Sequence, residues 1–414
     1  MGALTTLGLP LVALFAIGFQ IFLKDPVWLG LGIGKEFQPL SHFPYECRRI
    51  DSDPHLQGCE DMWLSEQTRV LYLACSDVMS RTHWFPSNDH FNLSGRSQKD
   101  AVIALQIDSP AGTSFKYNVL KTSGYAGTAG DGLLDLTGIA GLDVASEGEK
   151  SEGDEESIVE LLLVNMRPSL DSTGKIASDQ SVTGGNSTIE VFQVRGRDAE
   201  TMTHLHTVAD PNIATPNNIA LANNENSKQF YITNDHGLQK VGIRSHLSPL
   251  LGTGNVAFCT VDGGCKLVSE GHKYPNGLTQ HDGFVYVPGS MYGGIQVYRI
   301  AEGTNGLEKV EDIPINYGLD NLSVDAKGDI YAAAFPKGIE ILQSFKDPYN
   351  SKPRSTVIRV RKAKNGTHSW EKVLEDGEGG TLPGATTVVH DAKTGRLFLS
   401  GVISPFITVC EPRS

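Results

Sequence analysis

The sequence predicts an all-β chain folded as a six-bladed β-propeller, and three observations carry that expectation. The first is the stretch 319–336. Asp320-Asn321 opens a short alternating strand, Leu322-Ser323-Val324, the turn 325–329 follows, and a second apolar strand closes the unit at Ile330–Phe335. Turn residues between two apolar runs of this length mark a β-hairpin. The second observation is recurrence. Pro216-Asn217-Asn218-Ile219 precedes the strand 229–233, Pro275-Asn276-Gly277-Leu278 precedes 283–287, and Gly384-Ala385-Thr386-Thr387 precedes 395–399. A more diverged copy, Leu136-Thr137-Gly138-Ile139, precedes 159–164. Strand-only self-similarity at roughly 45–80 residues is the mark of a propeller. The third is composition: 39% hydrophobic residues with 45 glycines suit strands and turns around an ample core and argue against disorder.

The phrases also carry polar groups in an unexpected place. Asp320 and Asn321 stand side by side where an apolar strand begins. Buried oxygen donors need strong partners, because unpaired polar groups inside a protein are costly. A hard cation that prefers oxygen ligands answers that need.

A length of 414 residues fits one large propeller domain. The net charge of −13, with no basic stripe, excludes nucleic acid as a partner. Part of that charge sits in the run 146–157, which holds six acids against Lys150 and reads as a solvated insertion. Six cysteines are present. Cys259 and Cys265 bracket a tight turn and suit a local disulfide, whereas Cys59 and Cys75 read equally as a pair or as buried free thiols. Sequons at Asn92, Asn186 and Asn365 agree with a secretory route. Asn321 also lies in a sequon, Asn-Leu-Ser. Residues 1–23 carry no charged side chain and are long enough to span a bilayer as a helix. A cleaved signal peptide is the rival reading, without a basic leading region or a small-residue cleavage site to support it.

Along the chain, three segments are expected: an N-terminal signal-anchor or uncleaved signal helix at 1–23, a leader at 24–57 and the propeller at 58–414. The first hairpin runs 60–64 and 70–76, followed by a loop with aromatics at 81–91. His204 and His206 read as strand residues. No Gly-x-Ser-x-Gly occurs, so a nucleophilic serine has no support, and no His or Cys spacing suggests zinc.

Six phrases in order resemble the serum paraoxonase/arylesterase family. They are Gly58-Cys59-Glu60-Asp61, Pro216-Asn217-Asn218-Ile219, Phe-Tyr-Ile-Thr-Asn-Asp-His at 230–236, Pro275-Asn276-Gly277, Asp320–Asp325 read as Asp-Asn-Leu-Ser-Val-Asp, and Val409-Cys410-Glu411. The likeness runs from about Pro39 to the C-terminus. It implies a six-bladed propeller with two calcium ions in the central tunnel. The catalytic calcium would be held by Glu60, Asn217, Asn276, Asp320 and Asn321. The structural one would use Asp61, Asn218 and the carbonyl of Ile139, although the family places an aspartate where Asn218 stands. His236 would orient the residues around this second ion. The likeness also implies a Cys47–Cys410 disulfide closing the ring, and a loop at 81–91 overhanging the site. A retained N-terminal anchor would leave the body luminal or extracellular, with a secreted protein as the alternative.

By this resemblance the chain is a calcium-dependent arylesterase or lactonase. Calcium would stabilise the oxyanion, and Glu60 or Asp320 would activate water. The departures are specific. Thr137 and Met166 stand where the family has a histidine dyad, and Phe335 replaces a third histidine. The alternative function is therefore a non-catalytic, calcium-stabilised propeller binding an apolar ligand or a protein partner. The expected partners are a small ester or lactone and a membrane or lipid surface reached through the N-terminal segment.

Overall fold

Antiparallel four-stranded meanders are the repeating unit of the structure, a computed structural model that describes residues 11–51, 53–144, 157–382 and 384–413. Among these residues there are four four-stranded sheets and one of eight strands. The eight-stranded sheet divides into two meanders, joined where Thr201–Thr203 run parallel to Lys121–Ser123. The first strands of the meanders are Asp61–Ser65, Leu136–Val144, Pro216–Leu221, Thr279–His281, Gly318–Val324 and Thr387–Asp391. They pack against one another in cyclic order, the last against the first, so the chain closes a propeller-like ring.

Burial follows the same order outward. The second strands Val70–Cys75 and Ile330–Phe335 are buried at every position, and both read as continuous apolar runs. Strands covered on both faces need no polar alternation. The outer strand Leu307–Pro314 is exposed at most positions and carries Glu308, Lys309 and Glu311. Tyr72, Tyr231, Tyr286 and Tyr331 each occupy the second strand of a meander and are almost fully buried, and Phe398 does the same in the last. Each aromatic removes a large apolar surface from water.

The outermost strand of the last meander comes from the other end of the chain. Tyr45–Ile50 pairs antiparallel with Ile407–Pro412, bringing Cys47 opposite Cys410, and the two are disulfide-bonded. The expected leader 24–57 therefore contains a strand of the ring as well as a helix. Cys59–Cys75 and Cys259–Cys265 are also disulfide-bonded.

One irregularity recurs and positions the site. In the first strands, Leu136–Ile139, Pro216–Ile219 and Leu319–Leu322 each take three steps where the neighbouring strand takes two. From Pro275 to Thr279 the chain takes four steps against three. Each is a bulge, which frees side chains from the ladder and re-aims them. The freed positions are Thr137-Gly138, Asn217-Asn218, Asn276-Gly277 and Asp320-Asn321.

Three helices gather at one face. A helical run over Leu11–Leu31 is long and apolar enough to cross a membrane by length and composition. Residues 1–10 of the expected anchor lie outside the described residues. Its last part, α1 (Lys24–Leu31), ends at Gly32, whose φ of 67° suits glycine. It is fastened to the ring where Gly338 donates its N–H to the Leu29 carbonyl. Helices α2 (Ile243–Leu251) and α3 (Ile339–Ser344) stand beside it. The acidic run 146–157 lies outside the described residues except for Ser157.

Candidate metal centre

Three of the bulges, together with Glu60 and Asp61 at the head of the first meander's inner strand, deliver side chains to two tiers along the axis of the ring. Glu60, Asn217, Asn276 and Asp320 line a cavity of about 700 Å³, all four between 4% and 8% exposed. On the other side, Asp61, Ile139 and Asn218 line a second cavity of about 370 Å³. Asn321 joins the tiers. Its Nδ2 donates to the Glu60 carbonyl and to Glu60 Oε1, both at 3.0 Å, while its Oδ1 accepts from Asn218 Nδ2 at 3.0 Å. The residues nominated for the two ions thus lie in these two tiers, with Asn321 between them.

Short neighbours hold the floor in place. Ser290 Oγ accepts from Asn276 Nδ2 at 3.1 Å and donates to the Leu319 carbonyl at 2.7 Å. Thr386 Oγ1 donates to the Glu60 carbonyl at 2.9 Å. Two glycines are required by closeness alone. A Cβ on Gly277 would sit 1.9 Å from Asn321 Oδ1, and one on Gly138 would sit 2.5 Å from Asn218 Oδ1.

The two tiers differ in how their oxygens are satisfied. In the first, Glu60 Oε2, Asn217 Oδ1 and Asp320 Oδ1 are buried with no hydrogen-bond partner. Each such atom costs about 1–3 kcal/mol, so three on one floor form a strained set. In the second, Asp61 Oδ1 accepts from Thr387 Oγ1 at 2.9 Å, and Asp61 Oδ2 accepts from Asn218 Nδ2 at 2.8 Å and from the Ile139 N–H at 3.3 Å. Asn218 Oδ1 accepts from the Ile219 N–H at 2.7 Å. The second tier is internally paired.

Electrostatics point the same way. Burial pushes the Glu60 carboxyl up to about 8, with the Asp61 charge adding to it. Burial likewise pushes Asp61 up to about 6, against hydrogen bonds from Asn218 and Thr387. Asp320 is raised well above its ordinary range by burial, then by the charges of Glu60 and Asp61. The buried Arg81 gives its Nη2 to the Gly58 and Leu136 carbonyls, at 3.0 and 2.7 Å, rather than to a carboxylate. Two carboxylates and two amides with three unpaired oxygens fit a hard cation that takes oxygen ligands. The paired second tier fits one less well. Among the described residues, no cluster of three or more His, Cys, Asp or Glu has the geometry to hold a metal, so any cation here must draw on the amides.

The cavity above this floor is mostly apolar. Phe85, Phe335, Phe345, Ile341, Val402 and Leu29 form much of its wall. The loop 81–91 overhangs it, contributing Phe85, Asp89 and His90 among others. Thr137 and Met166 do not reach it: they line a separate cavity of about 10 Å³ with Arg81 and Asp135, while Phe335 does face the large one. His236 also faces it, with Nδ1 2.8 Å from Asp235 Oδ1. Sequence reasoning missed Tyr274, which lines the cavity immediately before the Pro-Asn-Gly phrase, and the α2 and α3 residues at its rim. The position of Tyr274 directly ahead of a bulge phrase was the available signal. At the surface, Asn92, Asn186 and Asn365 are exposed, whereas Asn321 is buried.

No protein-family model matches the chain, and no curated protein matches it. Solved structures do show similarity. A luciferin-regenerating enzyme is 12% identical over 89% of this chain and 95% of its own, with a TM-score of 0.48. A gluconolactonase from Xanthomonas campestris is 15% identical over 91% of this chain and 97% of its own, with a TM-score of 0.42. A virginiamycin B lyase from Staphylococcus aureus is 10% identical over 89% of this chain and 99% of its own, with a TM-score of 0.41. At these identities and TM-scores the likenesses assign the chain neither a family nor a reaction.

Proposed function

We propose that the six meanders are the blades of a six-bladed β-propeller, and that the chain is a calcium-dependent hydrolase of lactones or aryl esters. The observation that carries this reading is the floor of the large cavity, where three buried oxygens of Glu60, Asn217 and Asp320 lack partners beneath an apolar wall. Glu60, Asn217, Asn276 and Asp320, with Asn321 beside them, would hold the ion. Calcium bound there supplies a Lewis acid that polarises an ester carbonyl and favours the oxyanion. Glu60 or Asp320 accepts the proton of the attacking water. The phenylalanine and aliphatic wall holds the apolar part of the substrate and excludes bulk water. The ordered phrases shared with the paraoxonase/arylesterase family support the same reading. A second calcium at Asp61, Asn218 and the Ile139 carbonyl belongs to it, and would have to replace hydrogen bonds now made by Asn218 and Thr387. The three disulfides and exposed sequons support a secretory route with glycosylation at Asn92, Asn186 and Asn365, and the apolar helix supports a membrane anchor.

One observation favours the non-catalytic reading. Thr137 and Met166, at the family's histidine positions, supply no imidazole and lie outside the cavity. A panel of aliphatic lactones and phenyl acetate, assayed with calcium and then with chelator, separates the two. Calcium-dependent turnover, abolished in a folded Glu60→Gln variant, is the expected result. A folded, calcium-binding protein inert on every substrate would leave a ligand-binding propeller.

A further inference from the structure

We propose that His236, oriented by Asp235, donates the proton that the leaving oxygen takes during hydrolysis, an inference that rests on the hydrolase reading above. The pair is built into the cavity wall. His236 faces the same space as Glu60, Asn217 and Tyr274. Its Nδ1 lies 2.8 Å from Asp235 Oδ1, and Asp235 is fully buried. Among the described residues, the other ring nitrogen, Nε2, has no protein partner.

Two bulge phrases hold this pair. The Asp235 N–H donates to the Thr215 carbonyl at 3.0 Å, and the His236 N–H donates to Thr215 Oγ1 at 3.1 Å, two residues before Asn217. From the other side, Tyr274 sets its ring edge-on to the imidazole, with centroids 5.2 Å apart and planes at 81°. Tyr274 has a φ of +55°, a left-handed backbone that bulky side chains avoid, immediately ahead of Pro275-Asn276. Backbone strain of this kind gathers at functional sites. The imidazole is therefore fixed relative to Asn217 and Asn276 together.

The charges around it favour the protonated ring. Burial lowers the His236 pKa, but Asp235 first and Asp89 after it raise it above the ordinary value. Asp89 comes from the loop 81–91 and is itself 2.9 Å from His246 of α2 at the rim. Tyr274 faces the ring from the Pro-Asn-Gly segment with its hydroxyl pushed well up, so it stays neutral, and Glu60 and Asp320 lie on the floor below. His90 and His246 also line the cavity. His90 Nδ1 meets the Arg81 carbonyl at 3.1 Å, and the His246 side chain is 59% exposed, so neither has a buried carboxylate behind it.

The step balances without a further reagent. The water oxygen bonds to the carbonyl carbon while its proton passes to Glu60 or Asp320. The bond from that carbon to the alkoxy oxygen then breaks, its electron pair stays on the oxygen, and the oxygen takes the proton from His236 Nε2. Asp235 Oδ1 accepts from Nδ1–H throughout and holds the ring in place. The ring regains its proton from solvent as the carboxylate gives one up.

A leaving-group comparison tests this. Wild type, His236→Gln and Asp235→Asn are assayed on an aliphatic lactone, whose alkoxide needs a proton, and on p-nitrophenyl acetate, whose phenolate does not. The proposal expects His236→Gln to lose about 100-fold or more on the lactone while turnover of the nitrophenyl ester stays within a small factor. It expects Asp235→Asn to lose less, with the same selectivity. Equal losses on both substrates, or none on either, would overturn the role of His236 alone. A wild-type protein inert on both would overturn the hydrolase reading itself, and with it this step.

Discussion

Asn321 donates one side-chain amide to both the backbone carbonyl and the Oε1 of Glu60, each at 3.0 Å, although the two residues are 261 positions apart. The contact ties the first meander to the fifth at the centre of the ring. Asn321→Ala would leave the buried Glu60 Oε1 without a donor and the Glu60 carbonyl with Thr386 Oγ1 alone, at a cost of about 1–3 kcal/mol. Urea unfolding in chelator checks this. An unchanged midpoint would mean that the amide is not holding Glu60.

The raised carboxyls set a pH dependence whose sign is fixed. Glu60 and Asp61, at about 8 and about 6 in the metal-free fold, bind protons more tightly folded than unfolded. Stability of the metal-free chain is therefore greatest below the unfolded values and declines as pH rises towards the folded ones. A cation competing for the same oxygens is opposed by those protons, so the rise in Tm on adding calcium grows between pH 5 and pH 8. Thermal melts with calcium and with chelator measure the increment. An increment independent of pH would contradict the assignment of these carboxylates to the ion.

Gly277 tests how closely the bulges approach one another. An added Cβ would lie 1.9 Å from Asn321 Oδ1 and 2.7 Å from Asn218 Nδ2, far inside contact distance. Gly277→Ala is expected to displace Asn321, remove calcium-dependent stabilisation and abolish turnover. Gly283→Ala, with open space around its Cβ but a φ of +76°, is the control for backbone strain alone and should keep the calcium response.

The Cys47–Cys410 bond closes a separation of 363 residues, whereas Cys259–Cys265 closes 6. Constraint of the unfolded chain grows with loop length, so removing the first should cost about 2–5 kcal/mol and removing the second clearly less. Melting of the paired Cys→Ser variants compares them. Equal losses would point instead to local packing.

The bulge phrases could be read from sequence because each places two small or polar residues between apolar anchors, as in Pro-Asn-Asn-Ile and Leu-Asp-Asn-Leu. Those anchors keep their places in the ladder while the residues between them leave it. Tyr45–Ile50 was not readable as a strand of the last meander. Its Tyr-Glu-Cys-Arg-Arg-Ile is an outer-strand mixture with no turn to its partner, which lies at the far end of the chain. Helix α2 was hidden by Pro249 inside it and by serines that suit turns as well as helices. Thr137 could be matched to a family position, but not seen to face a separate cavity, because that depends on how Phe85 and Arg81 pack around it. The Cys59–Cys75 pair stayed open because spacing does not decide whether neighbouring strands bring two sulfurs together.

Calcium titration of the purified chain, by calorimetry at pH 7.5 beside Asp320→Asn, is the measurement that bears most directly on the account. The wild type is expected to bind calcium, and the folded variant, with one of the floor's two carboxylates neutralised, to bind it far more weakly. Equal binding by both would place the ion elsewhere. No binding by a folded wild type would contradict the account, leaving the unpaired oxygens of Glu60, Asn217 and Asp320 without the cation proposed for them.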